Sequence, residues 1–550
     1  MKNRSSKMKH KQLALLPLLV LTAAAISPQV LAETYDVVIN NGRVMDPETN
    51  FDDVRNVGIK NGQIAIITEG KITGKQTIDA SGHVVAPGFI EGHQHATDQF
   101  SRKVNLRDGL TTAMDFEAGA GDIAKWYAEA DGKTQPNYGM VVLATLARVK
   151  VLDGPEIAAQ GNDMGGLFSH TVGAAAKKAQ KEGRKPGWSS TLPNKEQMTR
   201  IMAYVDEGLR QGALGVGVPV GYMTKGVTQY ELYKYQELAG KYGRVTNAHV
   251  RFAGVRPPTE GQLGIQEMLA NAMVLDTPFL ASHLNSNMDW EYTIPLINDA
   301  REKRGAKVWG EVYPYAAGGT IASTDILTES SMAQMNITYS NVSNLDGTRW
   351  TKEDYENIRK NDPGRSILIY NNNPEDIAKW MAQPGVVVVS DGMAVQDESL
   401  NYYPWEASYE GHSVHPRTAG TRAKVLRMVR EDKNMSLMEA ISKMSYLHAK
   451  YFAELGGIPQ FKTKGRMQEG MDADIVVFNP DTVRDNSTYE PGMGAIPSTG
   501  IPYVLVNGVV VVKDSEVLKV FPGKPIRFPV QEKGRLDQIS IEPREFDPNQ

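Results

Sequence analysis

The chain of 550 residues contains no cysteine. That excludes a disulfide framework, a thiol nucleophile, a lipid-bearing cysteine and a thiolate metal site, so any bound metal must be held by nitrogen and oxygen. Basic tracts are also missing. Lys and Arg total 60 against 64 Asp and Glu, a net charge of −4, and five of the positives (Lys2, Arg4, Lys7, Lys9, Lys11) fall in the first 32 residues, which hold no acid. The remainder is therefore near −9, which argues against nucleic acid or an anionic membrane as partner. No GxGxxG follows a strand pattern and no GxxxxGK[ST] or GxSxG occurs, so dinucleotide binding, a phosphate-cradling loop and a serine elbow lack support. No apolar run reaches the roughly 20 residues needed to span a bilayer.

A hydrophobic fraction of 41 % with 23 % charged residues is ordinary globular composition. The N-terminus has the three parts of a secretory signal: a basic start, an apolar run over residues 13–26, and Val30-Leu31-Ala32 before Glu33. Residues 1–32 are expected to be removed near Ala32, leaving an exported, periplasmic or secreted protein with no membrane attachment in its mature form.

Residues 33–87 are short β runs broken by turn signals, such as Tyr35-Asp36-Val37-Val38-Ile39 before Asn40-Asn41-Gly42, and Val57-Gly58-Ile59-Lys60 before Asn61-Gly62. Asn-Gly pairs favour tight hairpins because both positions accept positive φ. Residues 461–550 repeat the style, with Asp474 leading an apolar run and Asn507-Gly508 dividing another. The two ends are expected to form one small β-sandwich domain. Between them, residues 88–460 alternate. Thr228-x-x-Glu231 opens a helix bearing Leu232, Tyr235 and Leu238 on one face, and residues 244–249, 278–282 and 307–313 read as strands separated by helical stretches. This rhythm predicts an α/β fold, a (β/α)8 TIM-like barrel. Residues 320–380 break it and read as an insertion, either a surface excursion or a lid over the barrel mouth.

Chemistry concentrates in Glu91-Gly92-His93-Gln94-His95. Strand residues two apart share a side, so His93 and His95 present two imidazoles suited to a divalent transition metal. Ten histidines would give an HxH by chance only about 0.2 times. His249 and His283, 34 residues apart, each end a predicted strand, and Asp391 ends the buried run 386–390. The strand C-termini are where barrel chemistry sits. An acidic bridge is expected if two metals bind. In the segment 109–117, alternation puts Asp115 and Glu117 on one face, with Glu117 as the preferred ligand and Asp115 supporting from behind. A carboxylated Lys150, placed near the end of a run over residues 141–149, is the rival bridge, set against the preferred reading of Lys150 as a surface or substrate-side charge.

These motifs in this order resemble the amidohydrolase superfamily, specifically its N-acyl-D-amino-acid deacylase (D-aminoacylase) branch. The matching segments include VVAPGFIEGHQH, DGLTTAMDFEAG, GALGVGVPVGY, NAHVR, EVYPYAAGGT, VVSDG, HPRTAGT and GRMQEGMDADIVVFNP. The resemblance implies His93, His95, Glu117, His249 and His283 as zinc-site residues for one or two ions, with Asp391 as metal ligand and proton shuttle. Two departures stand out: the branch's usual cysteine ligand is absent from residues 114–119, where Glu117 resembles the D-glutamate deacylase subgroup, and no lysine follows His283. Substrate-carboxylate recognition is therefore expected from Arg251, Tyr222, Tyr313 or Tyr315, with a structural ion pair as the equal alternative for Arg251 and with Arg417 as a loop anchor.

The expected reaction is hydrolysis of the amide of N-acyl-D-amino acids, small molecules that include acidic ones such as N-acyl-D-glutamate, giving a carboxylate and a free D-amino acid. Its rivals are a cyclic-amide hydrolase of the dihydroorotase or hydantoinase kind, a metal-free scaffold and a solute-binding protein. Self-association into a homo-oligomer is compatible with the sequence.

Overall fold

The computed structural model describes residues 34–541, apart from 253, 255, 257–261, 288 and 398. The expected signal segment, residues 1–32, lies outside the described residues, among which no helix is long and apolar enough to cross a membrane.

Eight strands form the central sheet: β1 (Phe89–Glu91), β2 (Leu110–Ala120), β3 (Asn137–Leu143), β4 (Gly215–Gly217), β5 (Val245–Ala248), β6 (Phe279–Ala281), β7 (Val308–Val312) and β8 (Val386–Val388). Each pairs parallel with the next in the order β1 to β8. Alternation sorts their side chains. Ile90, Val141, Val245, Leu280, Trp309 and Val387 converge inside, where Phe452, Phe461 and Ile526 join them. Val142, Val216, Phe279, Ala281, Val308, Val386 and Val388 face the helices. Each such buried side chain contributes about 2 kcal/mol relative to exposure. The seam between β1 and β8 carries no ladder. It is closed by one parallel bridge, Gln94 to Gly392, in which the His95 N–H donates to the Gly392 carbonyl at 2.9 Å.

The helix Gln229–Lys241 shows how local signals were satisfied. Thr228 caps it by accepting the Glu231 N–H at 3.1 Å, and Leu232, Tyr235 and Leu238 are buried. The Glu231 carboxylate does not reach back to complete the expected box, because buried Arg148 takes it at 2.6 Å. Residues 144–149 do not extend β3 but begin the helix Ala144–Leu152, so Lys150 is helical.

The two ends of the chain share one nine-stranded sheet. Val85, Ile475, Val477 and Leu505 point into its own core, while Val84, Ala86, Val476, Phe478 and Val504 point toward the barrel. The sheet bends until the turns at Asn61-Gly62 and Asn507-Gly508, all four residues at positive φ, touch, which makes the domain sandwich-like. Asn41-Gly42 behaves differently from expectation. Asn41 has φ +59°, yet the strand Thr34–Asp46 continues through a bulge there and changes parallel neighbour, from residues 73–79 to residues 84–85.

Between β7 and β8 the chain forms a three-stranded antiparallel sheet, Ala317–Ile321 with Ser366–Tyr370 and the latter with Val342–Asn344, over its own small core. This region walls the pocket described next.

Candidate metal centre and pocket

The strand ends bring six predicted side chains to one rim. His93 and His95 follow β1, Glu117 stands within β2, His249 follows β5, His283 follows β6 and Asp391 follows β8. Two of them adopt left-handed backbone, His283 at φ +24° and Asp391 at φ +54°, conformations that cost non-glycine residues energy and concentrate at functional sites.

Their donor atoms fall into two groups that share Glu117, with the atoms in each group within 4.8 Å of one another. In the first, Glu117 Oε2 lies 3.0 Å from His93 Nε2 and 3.3 Å from His95 Nε2, and Asp391 Oδ1 lies 3.4 Å from each imidazole nitrogen. In the second, Glu117 Oε1 is 2.9 Å from His249 Nδ1 and 3.1 Å from His283 Nε2, and those nitrogens are 3.1 Å apart. A tetrahedral ion with bonds near 2.0–2.1 Å has ligand–ligand edges of about 3.3 Å. The donor set is nitrogen and oxygen, borderline in softness and buried, so these residues fit a divalent zinc-like ion.

The rings are oriented from behind. His93 Nδ1 donates to Glu311, and His95 Nδ1 donates to Asp115 Oδ2 at 2.9 Å, which leaves each Nε2 facing the shared space. Burial penalises the charged forms of both rings, but Glu117, Asp391 and Glu311 around His93, and Asp115 beside His95, outweigh it and raise their pKa values well above the ordinary imidazole range. Burial likewise pushes the Asp391 carboxyl up, yet Arg417 and His93 prevail and hold it well below the usual carboxylate range. In His283 burial and the His249 charge together lower the pKa.

A cavity of about 340 Å³ opens onto the second donor group. Tyr222, Tyr313 and Ser286 line it on the barrel side, and Thr320, Met335 and Ile369 on the insertion side. The Tyr222 ring lies 4.8 Å from that of His249, centre to centre and tilted by 50°, and Tyr313 shares a hydrogen bond with Ser286. Tyr315 is outside the cavity lining, packed on His415 with Lys424 above its ring. Arg251 reaches the wall, but its guanidinium is taken by Glu267 and by the Val227 carbonyl at 2.6 Å, which makes it an anchor. Lys150 belongs to neither donor group; its ammonium sits over Tyr204 at 4.0 Å.

Arg417 is not a loop anchor. It starts the helix Arg417–Glu431, is 1 % exposed, and places Nη1 2.8 Å from Asp391 Oδ2. Its Nε, Nη1 and Nη2 have no hydrogen bond of good geometry among the described residues, and Gly319 leaves room beside it. Three contributors escaped sequence reasoning: Glu311, Glu91 and Ser286. A carboxylate in the otherwise apolar β7 was the available signal for Glu311.

Barrel, strand-end donors and adjoining pocket together define the architecture of a barrel-type metal-dependent hydrolase. No protein-family model matches the chain. It is similar to the N-acyl-D-glutamate deacylase of Alcaligenes xylosoxydans xylosoxydans, 27 % identical over 513 residues that cover 88 % of this chain and 94 % of that protein. A D-aminoacylase of the same organism is 23 % identical over 87 % of this chain and 94 % of its own length. Among solved structures, an N-acyl-D-glutamate deacylase from Bordetella bronchiseptica, bound to zinc and a phosphonate mimic of the tetrahedral intermediate, superposes with a TM-score of 0.69 at 22 % identity, over 90 % of this chain and 100 % of that one. The resemblance to the N-acyl-D-amino-acid deacylase branch thus extends through both domains.

Proposed function

We propose that this protein is a zinc-dependent amidohydrolase that cleaves the amide of N-acyl-D-amino acids, releasing a carboxylate and a free D-amino acid. The observation that carries the reading is Glu117, whose two oxygens complete two different donor groups beside an open pocket. His93, His95, Glu117, His249, His283 and Asp391 would hold one or two ions. Bound zinc supplies a Lewis acid for the acyl carbonyl and lowers the pKa of water toward about 7.

Asp391 takes the proton of the attacking water at its carboxylate and returns it to the leaving nitrogen, acting as base and then acid. Arg417, which lies just behind the pocket lining at Gly319, keeps that carboxylate ionised until substrate arrives, and its remaining donors suit a substrate α-carboxylate that reaches past that glycine. Once the guanidinium is shared with a second carboxylate, its hold on Asp391 weakens and the shuttle becomes more basic. Tyr313 and Ser286 contribute hydroxyls on the same wall. Tyr222, buried beside His249, lines the pocket next to the second donor group. The basic-apolar leader supports export to the periplasm or medium.

Purified, zinc-loaded protein should hydrolyse members of an N-acyl-D-amino acid panel, N-acetyl-D-glutamate included, and leave the L-enantiomers. Turnover restricted to hydantoins or dihydroorotate, or none at full zinc occupancy, would overturn the reading.

A further inference from the structure

We infer that Glu91 is a positioning residue: a buried latch across the β1–β8 seam that fixes the first donor group in register. The inference rests on the function proposed above. Because β1 and β8 share no ladder and meet at the single Gln94–Gly392 bridge, the spacing between His93 and Asp391 depends on the contacts beside that bridge. The β8 end does not offer its last carbonyl to β1, since Val388 O accepts from His448 Nε2 at 2.8 Å.

Glu91, fully buried, spans that gap. Its Oε1 accepts the His93 N–H at 2.8 Å. Its Oε2 accepts the Ser390 N–H at 2.8 Å and the Ser390 hydroxyl at 2.6 Å, and pairs with Arg422 Nη2. One carboxylate therefore grips the backbone of a metal-site histidine and the backbone of the residue before Asp391. The Ser390 hydroxyl in turn accepts the Gly392 N–H at 3.0 Å, so the left-handed Asp391 is clasped on both sides. Arg422 is itself fixed, because Asp108 accepts its N–H at 2.7 Å and that of Ala423 at 3.0 Å. None of these groups reaches the pocket lining. Their effect on chemistry must pass through His93 and Asp391.

Glu91→Gln keeps the size but removes the charge and one acceptor. Outer partners of metal ligands typically affect affinity or activity about 10–100-fold. We expect zinc affinity, read by chelator competition, and kcat each to fall at least 10-fold, KM to stay within about 2-fold, and the visible spectrum of the cobalt-substituted protein to change. Since Glu91→Gln alone strands the Arg422 charge, a second variant, Glu91→Gln with Arg422→Met, removes that penalty. It should regain thermal stability while kcat and zinc affinity stay low, an outcome a purely structural residue would not give. Ser390→Ala, a milder cut, should lower kcat several-fold at unchanged KM. Zinc affinity and kcat within 2-fold of the parent in the double variant, or recovering together with its stability, would overturn the latch. A parent protein that binds no zinc and cleaves no N-acyl-D-amino acid would instead overturn the proposed function.

Discussion

His448 gives the fold a defined sensitivity to acid. It is buried, donates Nε2–H to the Val388 carbonyl at the end of β8, and is held neutral chiefly by burial, which lowers its pKa to about 4 from an ordinary 6.5. In the unfolded chain it binds a proton below pH 6.5, whereas in the folded protein it resists protonation until about pH 4. Between those values the unfolded state carries more protons, so stability must fall as pH falls. The contribution is fully present above pH 6.5 and lost progressively toward pH 4. A displacement of about 2.5 units at 1.36 kcal/mol each is about 3 kcal/mol in total, and about 2 kcal/mol is gone by pH 5. Glutamine at this position can still donate to Val388 but does not titrate. Urea unfolding at pH 7.5 and pH 5 should therefore show the parent losing about 2 kcal/mol more than His448→Gln. Equal losses in the two proteins would refute the reasoning.

Other consequences follow from the site. Asp391→Asn should retain most of the metal by elemental analysis while kcat falls about 10³-fold, because the proton shuttle is removed from the reaction. Arg417→Met should raise KM for N-acyl-D-amino acids about 10–100-fold, the cost of losing a charge-assisted bond, and the KM of a substrate lacking the α-carboxylate should not change. Arg251→Met should instead lower the thermal midpoint by several degrees with little change in KM, since the Glu267 carboxylate it leaves is nearly buried. Lys150→Ala should leave metal content and kcat unchanged.

The site was largely legible in the sequence because barrel chemistry occupies strand ends, and strand ends can be read from apolar runs that stop at a polar residue. His283 and Asp391 each lie just beyond such a run, whereas the short strand before His249 carries Thr246 and Asn247 and is read from its place between two helical stretches. Tyr315 does not share the pocket with Tyr313. It lies beyond β7, where the chain turns into the insertion and carries the ring away from the pocket. Arg251 and Arg417 could not be told apart in the sequence for a different reason. Which guanidinium keeps spare donors depends on acids distant in sequence, Glu267 for one and Asp391 for the other. The apolar stretch 141–149 suits a buried strand and a buried helix equally, periodicity does not separate them, and the change from one to the other at Ala144 leaves Lys150 over Tyr204 and outside both donor groups. The Glu91 latch unites residues about 300 positions apart, which no local pattern encodes.

The central claim is that six side chains from five strand ends share bound metal. Elemental analysis of the gel-filtered protein tests it most directly. One to two equivalents of zinc per chain are predicted, falling sharply in His93→Ala and in Glu117→Ala. Less than about half an equivalent in the parent after zinc loading, or full zinc in both variants, would contradict it.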